Sequence, residues 1–187
     1  GGDVALLMEV DGHREKTTLD DLEDLCTLAT EHGANGAVIA KNSQEQEYFR
    51  QLRRWVSPSQ MHLFPRKISD DIAVPRSRIP EAIEKAQILA DLHGLQIAAY
   101  GHLGDGNLHM NWLARDDQEH AKASACRKRY LRDVIAMSGT ITGEHGIGLA
   151  KKEELIYEQS PELLNYQRDL QKLFDQYSLM NPKKIFI

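Results

Sequence analysis

Cysteine is scarce in this chain of 187 residues: there are two, Cys26 and Cys126. They lie far apart, each inside a helical pattern where a small buried apolar residue is common, and they build no disulfide framework. Long apolar runs are missing as well. None approaches the ~20 residues of a membrane span and no signal-peptide pattern opens the chain, so a reducing, cytoplasmic setting is expected, with any membrane met through a partner. Positive charge is in short supply. The 23 Lys and Arg against 28 Asp and Glu leave a net charge of −5 and a pI near 5.9. A nucleic-acid surface wants clustered positive charge. The dense basic cluster, Arg127-Lys128-Arg129 with Arg132, reads as a solvated helix face, and Lys151-Lys152 is offset by Glu153-Glu154. There is no repeat, low-complexity tract or long linker. The 41% hydrophobic and 27% charged residues suit one domain over residues 1–187 with a substantial core.

What is present alternates between strand and helix signals. Val4 to Val10 reads as a short strand, Thr17 or Thr18 as the cap of a helix from about Leu19 to His32, and Ala37 to Ala40 as a second strand. Ser43 caps a helix to about Trp55, stopped before Ser57-Pro58. Lys67 to Val74 is strand-like, and Ile79-Pro80 opens a helix that ends at His93-Gly94. A long helix over 117–137 is expected to bury Ala121, Ala125, Tyr130, Val134 and Ile135. One over 161–177 is expected to bury Leu163, Leu164, Leu170, Leu173 and Phe174, and an extended apolar tail follows from Leu179. Two β-α-β units with neighbouring strands predict an α+β fold of ferredoxin-like plan, an antiparallel sheet with helices on one face. A site would occupy the free face.

The chemistry is concentrated in Gly101-His102-Leu103-Gly104-Asp105-Gly106-Asn107-Leu108-His109-Met110-Asn111 and in Gly143-Glu144-His145-Gly146. Gln96 to Leu103 and Leu108 to Arg115 read as a hairpin around the four-residue turn Gly104 to Asn107. In that register His102 faces His109, close enough for two imidazoles to hold one cation, and Tyr100 and Asn111 share their face. Glycines flanking Glu144-His145 allow tight turns, and Glu144 completes a two-histidine, one-carboxylate set with an open position for substrate. His145 remains as a base. Such a set suits zinc, manganese or ferrous iron. The plainer account is a hairpin turn with satisfied loop histidines.

Together with Asn181-Pro182, these motifs resemble the C-terminal substrate, or cap, domain of FAD-linked 2-hydroxyacid oxidoreductases. The resemblance runs from Val4 to Phe186. It implies the FAD-linked oxidase C-terminal type of α+β fold, and oxidation of a small D-2-hydroxy acid, glycolate or D-lactate foremost, to the 2-oxo acid. It implies metal ligation by His102, His109 and Glu144, and His145 as general base. It also implies substrate contacts by Arg53 (carboxylate), Ser57, Lys67 and Asn111. Arg54 adjoins Arg53, so one can anchor substrate while the other is a surface residue. FAD would be bound mainly by an N-terminal domain absent from this chain, which starts Gly1-Gly2-Asp3 without Met. Gly104-x-Gly106 leads into a strand and is no dinucleotide fingerprint. The tail with Asn181 would run back toward that domain, although Lys183 replaces the family's usual glycine. An electron-transfer subunit and a homodimer are further expected partners. Two other readings compete: a stand-alone metal-dependent hydrolase or oxygenase using the same ligands, and a non-catalytic binding module.

Overall fold

The computed structural model describes residues 4–186, so the opening Gly1-Gly2-Asp3 lies outside the described residues. They fall into two compact units, one running through Ser59 and the other from Gln60. The first holds α1 (Glu15–Glu31) and most of α2 (Ser43–Leu63). The predicted strands Val4 to Val10 and Ala37 to Ala40 carry no ladder, and Val4, Leu6 and Val38 stay 78%, 58% and 80% exposed. A strand persists only where its N–H and C=O groups find a neighbour. No strand is formed among described residues 4–59 to supply one, so the first two β-α-β units do not form.

Helix ends also shift. The first begins after Arg14, and Thr18 donates its hydroxyl back to the Arg14 carbonyl at 3.1 Å instead of capping. Asn42, not Ser43, accepts the Glu45 amide at 2.9 Å while Glu45 accepts the Lys41 amide at 2.7 Å, a reciprocal cap. The second helix continues through Pro58 to Leu63. Pro58 costs it one N–H, and the Ser59 hydroxyl bonds the Val56 carbonyl beside that gap at 2.9 Å. Continuation places Arg53 and Ser57 four residues apart on one helix face.

In the second unit β1 (Arg66–Ala73), β2 (Gln96–His102) and β3 (Asn107–Ala114) form an antiparallel sheet in the order β1-β3-β2. The hairpin register differs from expectation by two residues. Tyr100 faces His109 and His102 faces Asn107, so the turn is Leu103 to Gly106. The Asn107 side chain donates to Asp71 at 2.6 Å and its amide to Asp105 Oδ1 at 3.0 Å, which draws Asn107 into the strand. Gly106, at φ +83°, closes the turn against the Val74 carbonyl, where a side chain would collide. A slip of one residue would have turned every side chain over; a slip of two keeps each on its face. Tyr100, His102, Asn107, His109 and Asn111 therefore share one face with Ser69 and Asp71 of β1.

The opposite face packs on α3 (Ile79–His93) and α4 (Asp117–Ala136), as the sequence predicts for helices on one side. Ile72, Leu108, Met110 and Trp112 meet Ala82, Ala86, Tyr130, Leu131 and Val134, with Trp112 and Tyr130 edge to face at 5.6 Å. The Tyr130 hydroxyl is satisfied by the Ala82 carbonyl at 3.1 Å. The buried stripe of α4 is Ala123, Cys126, Arg127, Tyr130, Leu131 and Val134, which leaves Ala121 and Ala125 outside. Arg127 is not solvated. Asp70 pulls it inward at 2.8 Å and Glu154 at 2.9 Å, and it is 6% exposed.

The final helix, α5 (Pro161–Phe174), starts on a Ser160 cap. Only part of its apolar stripe finds a partner: Leu164 packs on the core, while Leu163, Leu170, Leu173 and Phe174 remain exposed. The tail beyond it is a series of turns and not extended. Asp175 accepts the amides of Leu179 and Met180 at 2.8 Å each, and Ser178, Asn181, Lys183 and Ile185 take left-handed φ values. The Ile185 amide donates to the Gly148 carbonyl at 2.9 Å, fixing the tail to the loop after Glu144-His145. No helix of the described residues is long and apolar enough to cross a membrane.

Candidate metal and active site

The helix-free face of the sheet supplies Asp71 from the edge strand β1 and His109 opposite it from β3. The loop after α4 brings the rest. Gly139 lies against the Ala73 carbonyl, where a Cβ would stand 2.5 Å from that oxygen, and Thr140 exchanges two backbone hydrogen bonds with Ala73 at 3.2 and 2.8 Å. The loop thus runs beside β1 like a short extra strand. The Gly143 amide follows, donating to the Asp71 carbonyl at 3.3 Å. A Cβ on Gly143 would collide with the Asn107 amide and stand 2.7 Å from Asp71 Oδ1, so a glycine is required by close approach. Gly146 is a different case: its φ of +77° is left-handed and the space around it is open.

Glu144 and His145 are thereby delivered to His109. Glu144 Oε1 lies 3.5 Å from His109 Nε2 and 3.7 Å from His145 Nε2, and the two rings stack at 5.2 Å. One ligand atom from each of Asp71, His109, Glu144 and His145 falls within 4.8 Å of the others. The donor set, two carboxylates and two imidazoles, suits a divalent cation by charge and by atom type. Burial holds the His109 imidazole below its ordinary pKa although the Asp71 charge acts the other way, so its ring lone pair is available near neutrality. Burial pushes the Asp71 carboxyl up. The His145 amide, the Asn107 side chain and the Glu144 amide outweigh it and bring the carboxyl down to about 2.

His102 stands outside this four-residue group, with its ring 6.1 Å from that of His109 on the same face. The two-residue register shift makes it a diagonal neighbour instead of a direct one. Asn111 is fully buried and its amide is spent inside the sheet: it donates to the carbonyls of Ala98 at 3.0 Å and His109 at 3.2 Å, and accepts from Ser69 at 2.7 Å. Lys67 is half-buried on the face of Ser69 and Asp71. In the first unit, Arg53 is exposed and Ser57 half-buried on α2, while neighbouring Arg54 pairs with Glu47 at 2.8 Å. Asn181 sits in the tail at φ +47°. Beside His145 is a cavity of about 240 Å³ lined by Ser69, Asp71, Ile147 and Lys151 among others. It is smaller than the ~300–1,000 Å³ typical of pockets for drug-sized ligands.

Asp71, Asn107, Ser69 and Lys151 were passed over by the sequence reading. A signal existed for the first: Asp70-Asp71 sits mid-strand between Ile68 and Ile72, so one carboxylate shares the face of those isoleucines and the other takes the opposite face. Lys151 gave no such signal. Its ammonium, in a residue 5% exposed, donates to the carbonyls of Asp71 and Ile141 at 2.6 Å each, and only the fold reveals those partners.

Residues 1–185 match the family described as FAD linked oxidases, C-terminal domain. A D-2-hydroxyglutarate dehydrogenase of Stutzerimonas stutzeri is 32% identical over 155 residues, 80% of this chain and 33% of that protein. The glycolate oxidase subunit GlcD of Bacillus subtilis is 30% identical over 185 residues, 98% of this chain and 39% of that protein. A D-lactate dehydrogenase of Archaeoglobus fulgidus is 29% identical over 170 residues, 90% and 37% of the two chains. The chain thus spans between 33% and 39% of the length of these relatives.

Proposed function

The chain belongs to the family of FAD-linked oxidase C-terminal domains, and from that premise we propose that it forms the substrate and metal side of an enzyme oxidising a small D-2-hydroxy acid to the 2-oxo acid. Glycolate and D-lactate are the first candidates, by the names of its relatives. The observation that carries the reading is the meeting of His109, Glu144 and His145 on the helix-free face, with ligand atoms within 4.8 Å.

In this reading His109, Glu144 and His102 hold a divalent ion, zinc, manganese or ferrous iron. FAD is held mainly by an N-terminal domain, with Asn181 contributing from the tail. A bound ion would supply Lewis-acid polarisation of the substrate hydroxyl, and a bound flavin would supply the hydride acceptor. The His145 imidazole takes the hydroxyl proton, which its exposed position beside Glu144 permits. Arg53 grips the carboxylate as a fork, with Ser57 one helical turn away as a second contact. Lys67 supplies a polar contact, and Asn111 acts through the Ser69 hydroxyl bonded to it. An electron-transfer subunit as acceptor, a cytoplasmic location and a homodimer complete the proposal.

The test uses the full-length protein. Its flavin should bleach on addition of glycolate, D-lactate or D-2-hydroxyglutarate, and His145→Ala and His109→Ala should each abolish this. Flavin reduction at the normal rate in both variants would reject the assignment.

A further inference from the structure

Asp71 belongs to the four residues able to surround a cation, yet its hydrogen bonds assign it other work. Its Oδ2 accepts the backbone amides of Glu144 and His145 at 2.8 Å each and lies 3.5 Å from the Thr142 hydroxyl, while Oδ1 accepts the Asn107 side chain at 2.6 Å. A carboxylate offers about four lone-pair sites, and amide donors hold three of them. An oxygen engaged by two amides has little left for a metal ion. Two consecutive amides converging on one oxygen, however, fix the backbone of the loop at the residues whose side chains reach His109. The same aspartate is tied through its main chain, because its carbonyl accepts the Gly143 amide at 3.3 Å and the buried Lys151 ammonium at 2.6 Å.

We propose that Asp71 is a positioning residue: as an acceptor of amides, and not as a metal ligand, its carboxylate sets Glu144 and His145 in place around His109. The inference rests on the ion and base roles proposed above for those residues. Charge is secondary to acceptor geometry in this role, so asparagine is the informative replacement. In Asp71→Asn one oxygen remains for the two backbone amides. The new NH2 group meets Asn107, whose own Oδ1 is buried and without a partner among the described residues and can accept once that amide turns over.

The experiment has two arms on the full-length protein freed of metal: titration with Co²⁺ alone, followed by its visible absorption, and hydrogen exchange at the Glu144 and His145 amides. Asp71→Ala should lose protection at both amides and weaken Co²⁺ binding by about 10–100-fold. Asp71→Asn should keep both amides protected and restore most of that loss. His109→Ala should lose Co²⁺ with the amides still protected. If Asp71→Asn loses Co²⁺ as fully as His109→Ala while its amides stay protected, Asp71 is a ligand and the proposal is overturned. Wild-type protection and affinity in Asp71→Ala overturn it as well. Should the alanine variant not fold, the asparagine and His109 variants decide between them. A wild-type protein that takes up no Co²⁺ rejects the metal reading of the previous section. Asp71 is then judged by exchange alone, with protection lost in the alanine variant and kept in the asparagine one as the supporting result, and no change as the overturning one.

Discussion

Asp70 and Asp71 are adjacent, identical in chemistry and both buried, yet the strand turns them to opposite faces and their carboxyl pKa values shift in opposite directions. Asp70 enters the helix-packed face. Burial pushes its carboxyl above the ordinary value despite the Arg127 guanidinium at 2.8 Å, and its second oxygen has no hydrogen-bond partner among the described residues. Asp71 enters the open face, where backbone and side-chain amides bring it down to about 2. One aspartate is balanced by the buried guanidinium of another element, the other by two backbone amides of a loop and the Asn107 side chain. Asp70 is the more deeply enclosed of the two and accepts from one guanidinium, whereas Asp71 accepts from three amides, so depth of burial and number of donors together set the direction of each shift. The first arrangement holds the core together, and the second organises a site.

The largest effect expected from this contrast is on the core side. Arg127→Met should cost about 3–5 kcal/mol, because it leaves Asp70 and Glu154 as uncompensated buried carboxylates. Equilibrium urea unfolding measures it, and a loss under about 1 kcal/mol would erase the distinction between the two faces. On the site side, stability and binding should separate. Gly143→Ala should cost about 1–3 kcal/mol from the collision with Asn107, and should weaken Co²⁺ binding by at least about tenfold, whereas Arg127 variants that still fold should bind nearly as the wild type does.

Acid titration sharpens the comparison further. The folded value of Asp71 lies near 2 against 3.8 for the free side chain. Its contribution is therefore fully present above about pH 4 and is lost as the pH falls toward 2. The stability gap between metal-free wild type and Asp71→Asn should narrow by about 2 kcal/mol across that window. A gap that stays constant there would show that the amides do not hold the charge. The smallest effect lies in the tail, where Lys183 adopts φ +63°. Lys183→Gly should stabilise by about 1 kcal/mol in thermal unfolding with no change in Co²⁺ affinity, since the left-handed backbone costs a side chain but not glycine.

Much of the sheet was legible. Alternation over β1, β2 and β3 and the turn residues between the last two gave the antiparallel hairpin and its faces, and the apolar period of α3 gave the helix that covers one of them. Register was the harder step. Which of Gly104-Asp105-Gly106-Asn107 is turn and which is strand depends on the bond from Asn107 to Asp71, 36 residues away in sequence. For the same reason the sequence paired His102 directly with His109, and the fold set them on a diagonal. The first strands were misread because an apolar run shows capacity for pairing and not the presence of a neighbour. Exposed Leu170, Leu173 and Phe174 on α5 repeat that lesson for helices.

The face shared by Tyr100, His102, His109 and Asn111 followed from the sequence, because strand alternation is a local rule. That Arg127 and Lys151 are buried, that Asp71 anchors the Glu144-His145 loop and that Gly143 must be glycine were decided by tertiary structure. Each depends on a partner distant in the chain, and the chain records its own residues but not the atoms that folding will bring against them.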